Sequence, residues 1–175
     1  MLDSPSASTI VSHDRVEAMM GLFDYPAETT ASVAAAPDFI FLENLPPASW
    51  KKILAHAETL SFARGQVLLH AGDSDDAFYI LTAGSVEVVL PGTVRGPALT
   101  VIPEGSVFGE IAFFDGQPRS AGIRARSDGT AIRISRANFE HLSSWDAVLG
   151  RQILLDLGRI LSLRLRWTTD LSQRR

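Results

Sequence analysis

From Thr59 to Ser135 the chain is cut every few residues by turn chemistry. The breaks are Arg64-Gly65, Gly72-Asp73-Ser74-Asp75-Asp76, Ala83-Gly84, Pro91-Gly92, Pro103-Glu104-Gly105 and Ser127-Asp128-Gly129. The segments between them read as short strands near 58–63, 66–70, 77–82, 85–90, 98–102, 107–108, 121–126 and 129–135. Eight short strands at this spacing predict a mainly β fold, an eight-stranded jelly-roll barrel of two sheets with flanking helices. Val86, Val88 and Leu90 alternate with Glu87 and Val89, which predicts one inward face for that strand. The run Gly72–Asp76 resembles a calcium loop only superficially. It lacks the ligand spacing and the closing Glu, and it reads as a turn.

On either side the period becomes helical. Pro46 and Pro47 suit a first helical turn. Trp50, Ile53, Leu54 and Ala57 then recur at helical spacing, which predicts a helix from about 47 to 56 with Lys51 and Lys52 on its solvated face. Phe39, Phe41 and Leu42 precede it and are expected to pack under the barrel. After the strands, Ser135 can cap a helix carrying Ala137, Phe139 and Leu142. A longer helix starts near Trp145-Asp146, with Asp146 as its N-cap. Leu149, Ile153, Leu157 and Ile160 form one apolar stripe on it, and Leu154, Leu161 and Leu165 a second. Two stripes are wider than one shallow contact needs. One can pack on the barrel and the other on a second subunit, a possible homodimer through the 146–166 helix. Gly158 interrupts this helix, which marks a close crossing or a bend.

Residues 1–38 are unlike the rest. Asp3, Asp14, Glu17, Asp24, Glu28 and Asp38 stand against a lone Arg15, and small polar residues dominate. The stretch reads as an acidic, mostly disordered extension to a domain over 39–175 (barrel about 58–135, C-terminal helices about 136–168). The alternative is a short docking helix over Val16–Phe23. The net charge of −4 argues against nucleic acid as the main partner. There are no cysteines, so a disulfide framework and a thiolate metal site are excluded. No apolar run approaches the ~20 residues that span a bilayer, and Met1–Ser6 lacks the basic start and apolar core of a signal peptide. A cytoplasmic protein is expected. His13, His56, His70 and His141 show no paired spacing, so no metal is expected in the barrel, and no enzyme chemistry is legible.

The stretch with the most chemistry is Val107–Ala121. It reads as a strand end, a glycine, one helical turn and a tight loop into a new strand. Gly109 lets a ligand approach its backbone. Glu110 to Phe114 form a short helix, stopped by Asp115-Gly116, whose first amides (Ile111 and Ala112) have no internal partner. Arg119 follows Pro118, and its planar fork can hold two phosphate oxygens. Glu110 is a poor phosphate neighbour, so a functional Glu110 accepts from a hydroxyl on the same ligand. A phosphate with a nearby sugar hydroxyl is a nucleotide.

Phe108-Gly109-Glu110-Ile111-Ala112 followed by Pro118-Arg119-Ser120-Ala121 resembles the phosphate-binding cassette of the cyclic nucleotide-binding domain family. The resemblance runs back through Gly65-Gln66, Gly72-Asp73, Phe78–Leu81, Gly84–Val88 and Gly105, and covers roughly residues 40 to 167. It implies that Glu110 accepts from the ribose 2′-hydroxyl. It also implies that Arg119 and the amides of Gly109, Ile111, Ala112 and Ala121 hold the cyclic phosphate. Ser120 is a further donor to the phosphate, or to the 2-amino group of guanine. Val88, Leu99 and Thr100 are candidates for the wall against the base, and Arg164, Trp167 or Thr168 for its cap. The expected ligand is a 3′,5′-cyclic purine nucleotide, cAMP in preference to cGMP. No helix-turn-helix follows the long helix before Arg175, so no DNA-binding domain is expected, and output is expected to pass to a separate protein effector. The competing reading is a scaffold domain that keeps the fold and binds no nucleotide.

Overall fold

The computed structural model describes residues 39–89 and 98–173. The acidic extension over 1–38, Leu90, the turn at Pro91-Gly92 and Arg174-Arg175 lie outside the described residues. In chain order the elements are helix α1 (Pro47–Leu54), strands β1 (Glu58–Phe62), β2 (Val67–Leu69), β3 (Phe78–Ala83), β4 (Val86–Val89), β5 (Ala98–Ile102) and β6 (Val107–Phe108), helix α2 (Glu110–Asp115), strands β7 (Gly122–Ala125) and β8 (Gly129–Ile134), and helices α3 (Arg136–Trp145) and α4 (Ala147–Gln173).

The strands form two antiparallel four-stranded sheets. The orders are β1-β8-β3-β6 and β2-β7-β4-β5. This corrects the expectation of a closed barrel: among the described residues no ladder joins one sheet to the other. Successive strands mostly change sheet, so sequence neighbours rarely pair, and the edges stay apart. The sheets pack face to face. Phe62, Leu69, Tyr79, Leu81, Val86, Ile102, Phe108, Ile123 and Ala125 fill the space between them.

The outer face of the β1-β8-β3-β6 sheet carries a second core. Phe78, Ile80, Val107, Ile132 and Ile134 meet Phe41, Trp50 and Ile53 from the N-terminal side. Phe113, Phe139, Leu142, Leu149, Ile153, Leu157 and Ile160 close it from the helices that follow. Strand β3 is therefore buried on both faces, Phe78 and Ile80 toward the helices and Tyr79 and Leu81 toward the opposite sheet. That is why Phe78–Leu81 reads as an unbroken apolar run.

Two local expectations change. The β4 register shifts between Val88 and Val89, so Val89 is buried and the simple alternation is lost. Val89 packs on Gly122, where an added Cβ would lie 2.8 Å from Val89 Cγ2. Helix α4 continues through Gly158 as one element, and no atom lies within 4 Å of a Cβ built there. The close crossing is at Gly150 instead, where an added Cβ would sit 2.3 Å from Ser143 Oγ of α3.

The helix caps follow local chemistry. Ser135 Oγ accepts from Asn138 N at 3.2 Å, and Asp146 Oδ1 accepts from Leu149 N at 3.0 Å. Lys52 Nζ donates to Asp146 Oδ2 at 2.7 Å, tying α1 to the start of α4. Lys52 first, and the Leu149 amide second, hold the Asp146 carboxyl below its ordinary range. Of the two stripes on α4, Leu149, Ile153, Leu157 and Ile160 are buried, while Leu154 and Leu165 of the other are exposed. Among the described residues no helix is long and apolar enough to cross a membrane.

Candidate functional site

Strand β6 ends at Phe108, and Gly109 turns the chain with φ +78°. Few residues other than glycine adopt that conformation readily. The space beside its Cα is taken by the chain itself: an added Cβ would lie 2.7 Å from Arg119 Nη1 and 3.1 Å from the Ala77 carbonyl. The close approach expected of a ligand at Gly109 is thus made by the Arg119 guanidinium. Helix α2 follows and stops at Gly116, where Asp115 Oδ1 accepts from Gln117 N at 2.9 Å.

Arg119 is fixed through its backbone to the 72–73 turn. Gly72 N donates to Arg119 O at 2.8 Å, and Arg119 N donates to Asp73 O at 2.9 Å. The Gly72–Asp76 turn, which reads in sequence as punctuation, is therefore the anchor of this arginine. The side chain is 4% exposed as a residue. Its Nη1 donates to Gly109 O at 2.6 Å, and its Nη2 donates to Ala77 O at 2.7 Å and to Asp75 Oδ2. The guanidinium lies 5.7 Å from the centre of the Tyr79 ring, which stacks on Phe108. Arg119 Nε is buried with no hydrogen-bond partner. A buried guanidinium whose Nε–H has no acceptor is costly unless something else accepts from it.

Asp75 is the hub behind the arginine. Tyr79 Oη donates to its Oδ2 at 2.9 Å, and Arg133 Nη2 donates to its Oδ1 at 2.9 Å. Burial pushes the Asp75 carboxyl up, but the hydrogen bonds from Arg119, Tyr79 and Arg133 win. They lower it from 3.8 to about 2. Burial, then the bond to Asp75, pushes the Tyr79 phenol above its ordinary value.

Glu110, also 4% exposed, does not pair with Arg119. Its Oε1 accepts from Arg164 Nη1 at 2.6 Å. Arg164 comes from α4, and its Nη2 donates to Val107 O at 2.6 Å and to Ser106 Oγ at 3.1 Å. The two buried charges of the cassette are thus held from opposite sides, Arg119 by the 72–77 segment and Glu110 by the last helix.

These groups border a cavity of about 280 Å³ over the inner face of the β2-β7-β4-β5 sheet. Of the residues expected from sequence, Phe108, Gly109, Glu110, Ile111, Ala112, Arg119, Ser120, Ala121, Val88 and Thr100 line it, as do Arg164 and Trp167. Leu99 does not. Thr100 pairs with Val88 and Ile102 with Val86, so the two-residue period of β5 turns Leu99 to the other face, where it is 49% exposed. The Thr168 side chain lies outside the description. Sequence reasoning missed Leu69, Ile102 and Ile123, whose inward facing depends on strand pairing, and Asp75, which gave only a turn signal. Most of the lining is apolar, with charge confined to Glu110, Arg119 and Arg164. Among the described residues no three His, Cys, Asp or Glu side chains converge on a metal-sized point.

Known proteins resemble this chain in sequence and in fold. The family model for the cyclic nucleotide-binding domain matches residues 59–144, from β1 through most of α3. The cAMP-dependent protein kinase regulatory subunit of Emericella nidulans is 30% identical over 152 residues, 81% of this chain. The chain spans only 36% of that subunit's length. The cAMP-activated global transcriptional regulator Vfr of Pseudomonas aeruginosa is 31% identical over 123 residues, covering 67% of this chain and 56% of the regulator. Among solved structures, a cyclic nucleotide-binding domain from Methylobacillus flagellatus superposes with a TM-score of 0.70 at 20% identity, over 90% of this chain and 82% of that one. The two-sheet fold, the cassette between β6 and β7 and the matched family model lead to one conclusion: through the domain built by residues 59–144, the chain belongs to the cyclic nucleotide-binding domain family.

Proposed function

We propose that the cavity binds a 3′,5′-cyclic purine nucleotide and that the protein is a regulatory sensor rather than an enzyme. The observation that carries this reading is Arg119. Its terminal nitrogens donate to Gly109, Asp75 and Ala77, and its buried Nε has no partner. A phosphate oxygen is the acceptor that suits it. Glu110 accepts a ribose hydroxyl through the carboxylate oxygen that Arg164 does not take. The amides of Gly109, Ile111, Ala112 and Ala121 and the Ser120 hydroxyl complete the phosphate cradle. Val88 and Thr100 face the base, and Trp167 lies on it from α4. Cyclic AMP is favoured over cyclic GMP, because the kinase subunit and Vfr are both described by their response to cAMP. The domain extends over 39–175, and the strand orders β1-β8-β3-β6 and β2-β7-β4-β5 support a jelly roll.

Binding is relayed through the helices. Phe113 on α2 packs edge-on against Phe78 and Phe139, and Arg136 at the start of α3 donates to the Phe113 carbonyl. A phosphate that draws α2 inward therefore moves α3 and, with it, α4. Output goes to a separate effector, or across a homodimer formed on the exposed α4 stripe. A second reading, a scaffold without nucleotide, draws on the internal pairing of Glu110 and Asp75 with Arg164 and Arg119, which balances the site's charges unaided.

Thermal unfolding with cAMP, cGMP and non-cyclic AMP separates the two. A ligand at a hundred times its Kd adds about 2.7 kcal/mol, a shift of about 5–10 °C for a domain of this size. A shift with a cyclic nucleotide, absent with AMP and lost in Arg119→Ala, supports the receptor. No shift with either cyclic nucleotide refutes it.

A further inference from the structure

Among the described residues, one side of the first half of helix α4 is left uncovered. Leu149, Ile153, Leu157 and Ile160 turn inward, and Leu154, Leu161 and Leu165 make the second stripe. Val148 and Leu155 belong to neither. They lie seven residues apart, so they share a face, and they are 64% and 62% exposed. Leu155 borders a groove of about 430 Å³. Gln152 and Leu155 form its α4 wall, and Leu42, Asn44 and Leu45 form the opposite one. That opposite wall is fixed in place. Leu42 N donates to Asp156 Oδ2 at 2.6 Å, Arg159 Nη2 donates to Ile40 O at 2.8 Å, and Phe41 N donates to Gly105 O at 2.9 Å. These bonds hold Leu42 at φ +53°, a conformation that leucine rarely adopts. Asp156 and Arg159 balance each other at 2.6 Å. Glu43 is then the remaining charge on the 42–45 wall.

The rest of the chain enters at this groove. Residues 1–38 join the described chain at Phe39, three residues before Leu42. Within them Val16, Met19, Met20 and Phe23 recur at the spacing of the anchors that a helix lays into an apolar groove. At about 100° per residue, Glu17 and Asp24 fall on one flank of that stripe and Arg15 on the other. We propose that Val16–Phe23 docks as a short helix in the groove between Leu42–Leu45 and α4, with its apolar stripe against Leu45 and Leu155. Charge fits on both walls. The helix direction that sets Glu17 and Asp24 beside α4, where Arg151 stands exposed one turn before Leu155, sets Arg15 beside Glu43. The tether fits as well. Residues 25–38 span at most about 50 Å when fully extended, so the segment stays near the groove at a local concentration that a free partner must match. That favours the chain's own segment over a foreign one as the occupant. The docking is independent of what the cavity over the β2-β7-β4-β5 sheet binds.

Hydrogen exchange of the full chain, read on peptides covering 14–24, tests this. In wild type these amides should exchange on the order of tenfold more slowly than an unprotected chain. Leu155→Glu puts a charge into the groove at an exposed position, so the domain should keep its melting transition while 14–24 loses protection. Met20→Glu should do the same from the segment's side. Arg15→Glu should lose part of the protection, and Glu43→Arg in the same chain should restore that part. The chain has no cysteine, so a Met20→Cys/Leu155→Cys pair should form an intramolecular disulfide under mild oxidation. A Met20→Cys/Leu99→Cys pair, with Leu99 exposed on the other sheet, should form far less of it. Absence of protection over 14–24 in wild type would overturn the docking. Protection that survives Leu155→Glu, or equal cross-linking of the two pairs, would overturn the groove as its place. Protection that survives Met20→Glu would overturn the apolar stripe as its contact. Protection that falls on dilution would make a second copy the source of the segment and overturn the intramolecular tie. A charge swap at 15 and 43 that restores nothing would overturn the direction of the helix.

Discussion

Replacing Asp75 with Asn keeps the shape of the side chain and removes the charge on which Arg119, Arg133 and Tyr79 converge. The carboxyl is held at about 2 in the folded protein against 3.8 ordinarily, a difference worth about 2.5 kcal/mol at neutral pH. Removing one partner of a buried pair can cost about 3–5 kcal/mol. The lower figure applies here. Arg133 retains Glu58, at 3.2 Å, and Arg119 retains the carbonyls of Gly109 and Ala77. The sign follows from the depressed pKa. The contribution is complete well above pH 4 and is lost as pH falls through the folded value near 2, so about half remains at pH 3. Asp75→Asn lacks this titration. Urea unfolding of both proteins between pH 7 and pH 3 should show a stability gap of about 2.5 kcal/mol at pH 7, narrowing to about 1.3 kcal/mol at pH 3. The other carboxylates titrate in both proteins and cancel in the difference. A gap that is the same at both ends of this range would refute the electrostatic account of Asp75. A gap below about 0.5 kcal/mol at pH 7, the size of an ordinary surface substitution, would refute its role as a hub.

Gly109→Ala should destabilise the domain by about 1–3 kcal/mol, from the left-handed backbone and from displacement of Arg119 Nη1, and should weaken cAMP binding with it; urea unfolding and calorimetric titration check both. The two glycines of α4 should respond with opposite signs. Gly158→Ala meets open space in a helix interior and should stabilise by up to about 1 kcal/mol, whereas Gly150→Ala drives a methyl into Ser143 and should destabilise by about 1–3 kcal/mol. Melting temperatures of the two variants, measured side by side, decide this.

What the chain writes locally, it writes legibly. Strand positions follow from turn residues at Gly65, Gly84 and Gly105 and from Ser127-Asp128 before β8, and the caps at Ser135 and Asp146 from side chains that reach only three residues ahead. The cassette is legible for the same reason, since Gly109, Glu110 and Arg119 lie within one strand–helix–loop segment. Pairings between distant segments are another matter. Asp75 lies 44 residues before Arg119, and Arg164 lies 54 after Glu110, so neither partner is marked by spacing or period. Glu110 and Arg119 carry complementary charges within one segment, yet each is claimed by a different element, Glu110 by α4 and Arg119 by the 72–77 segment. The inward set of β5 likewise depended on its register against β4, which put Thr100 and Ile102 at the cavity and Leu99 outside it. Local preferences act over a few residues, whereas the direction in which a buried charge is balanced is decided only when sheets and helices have packed and water has been excluded around it.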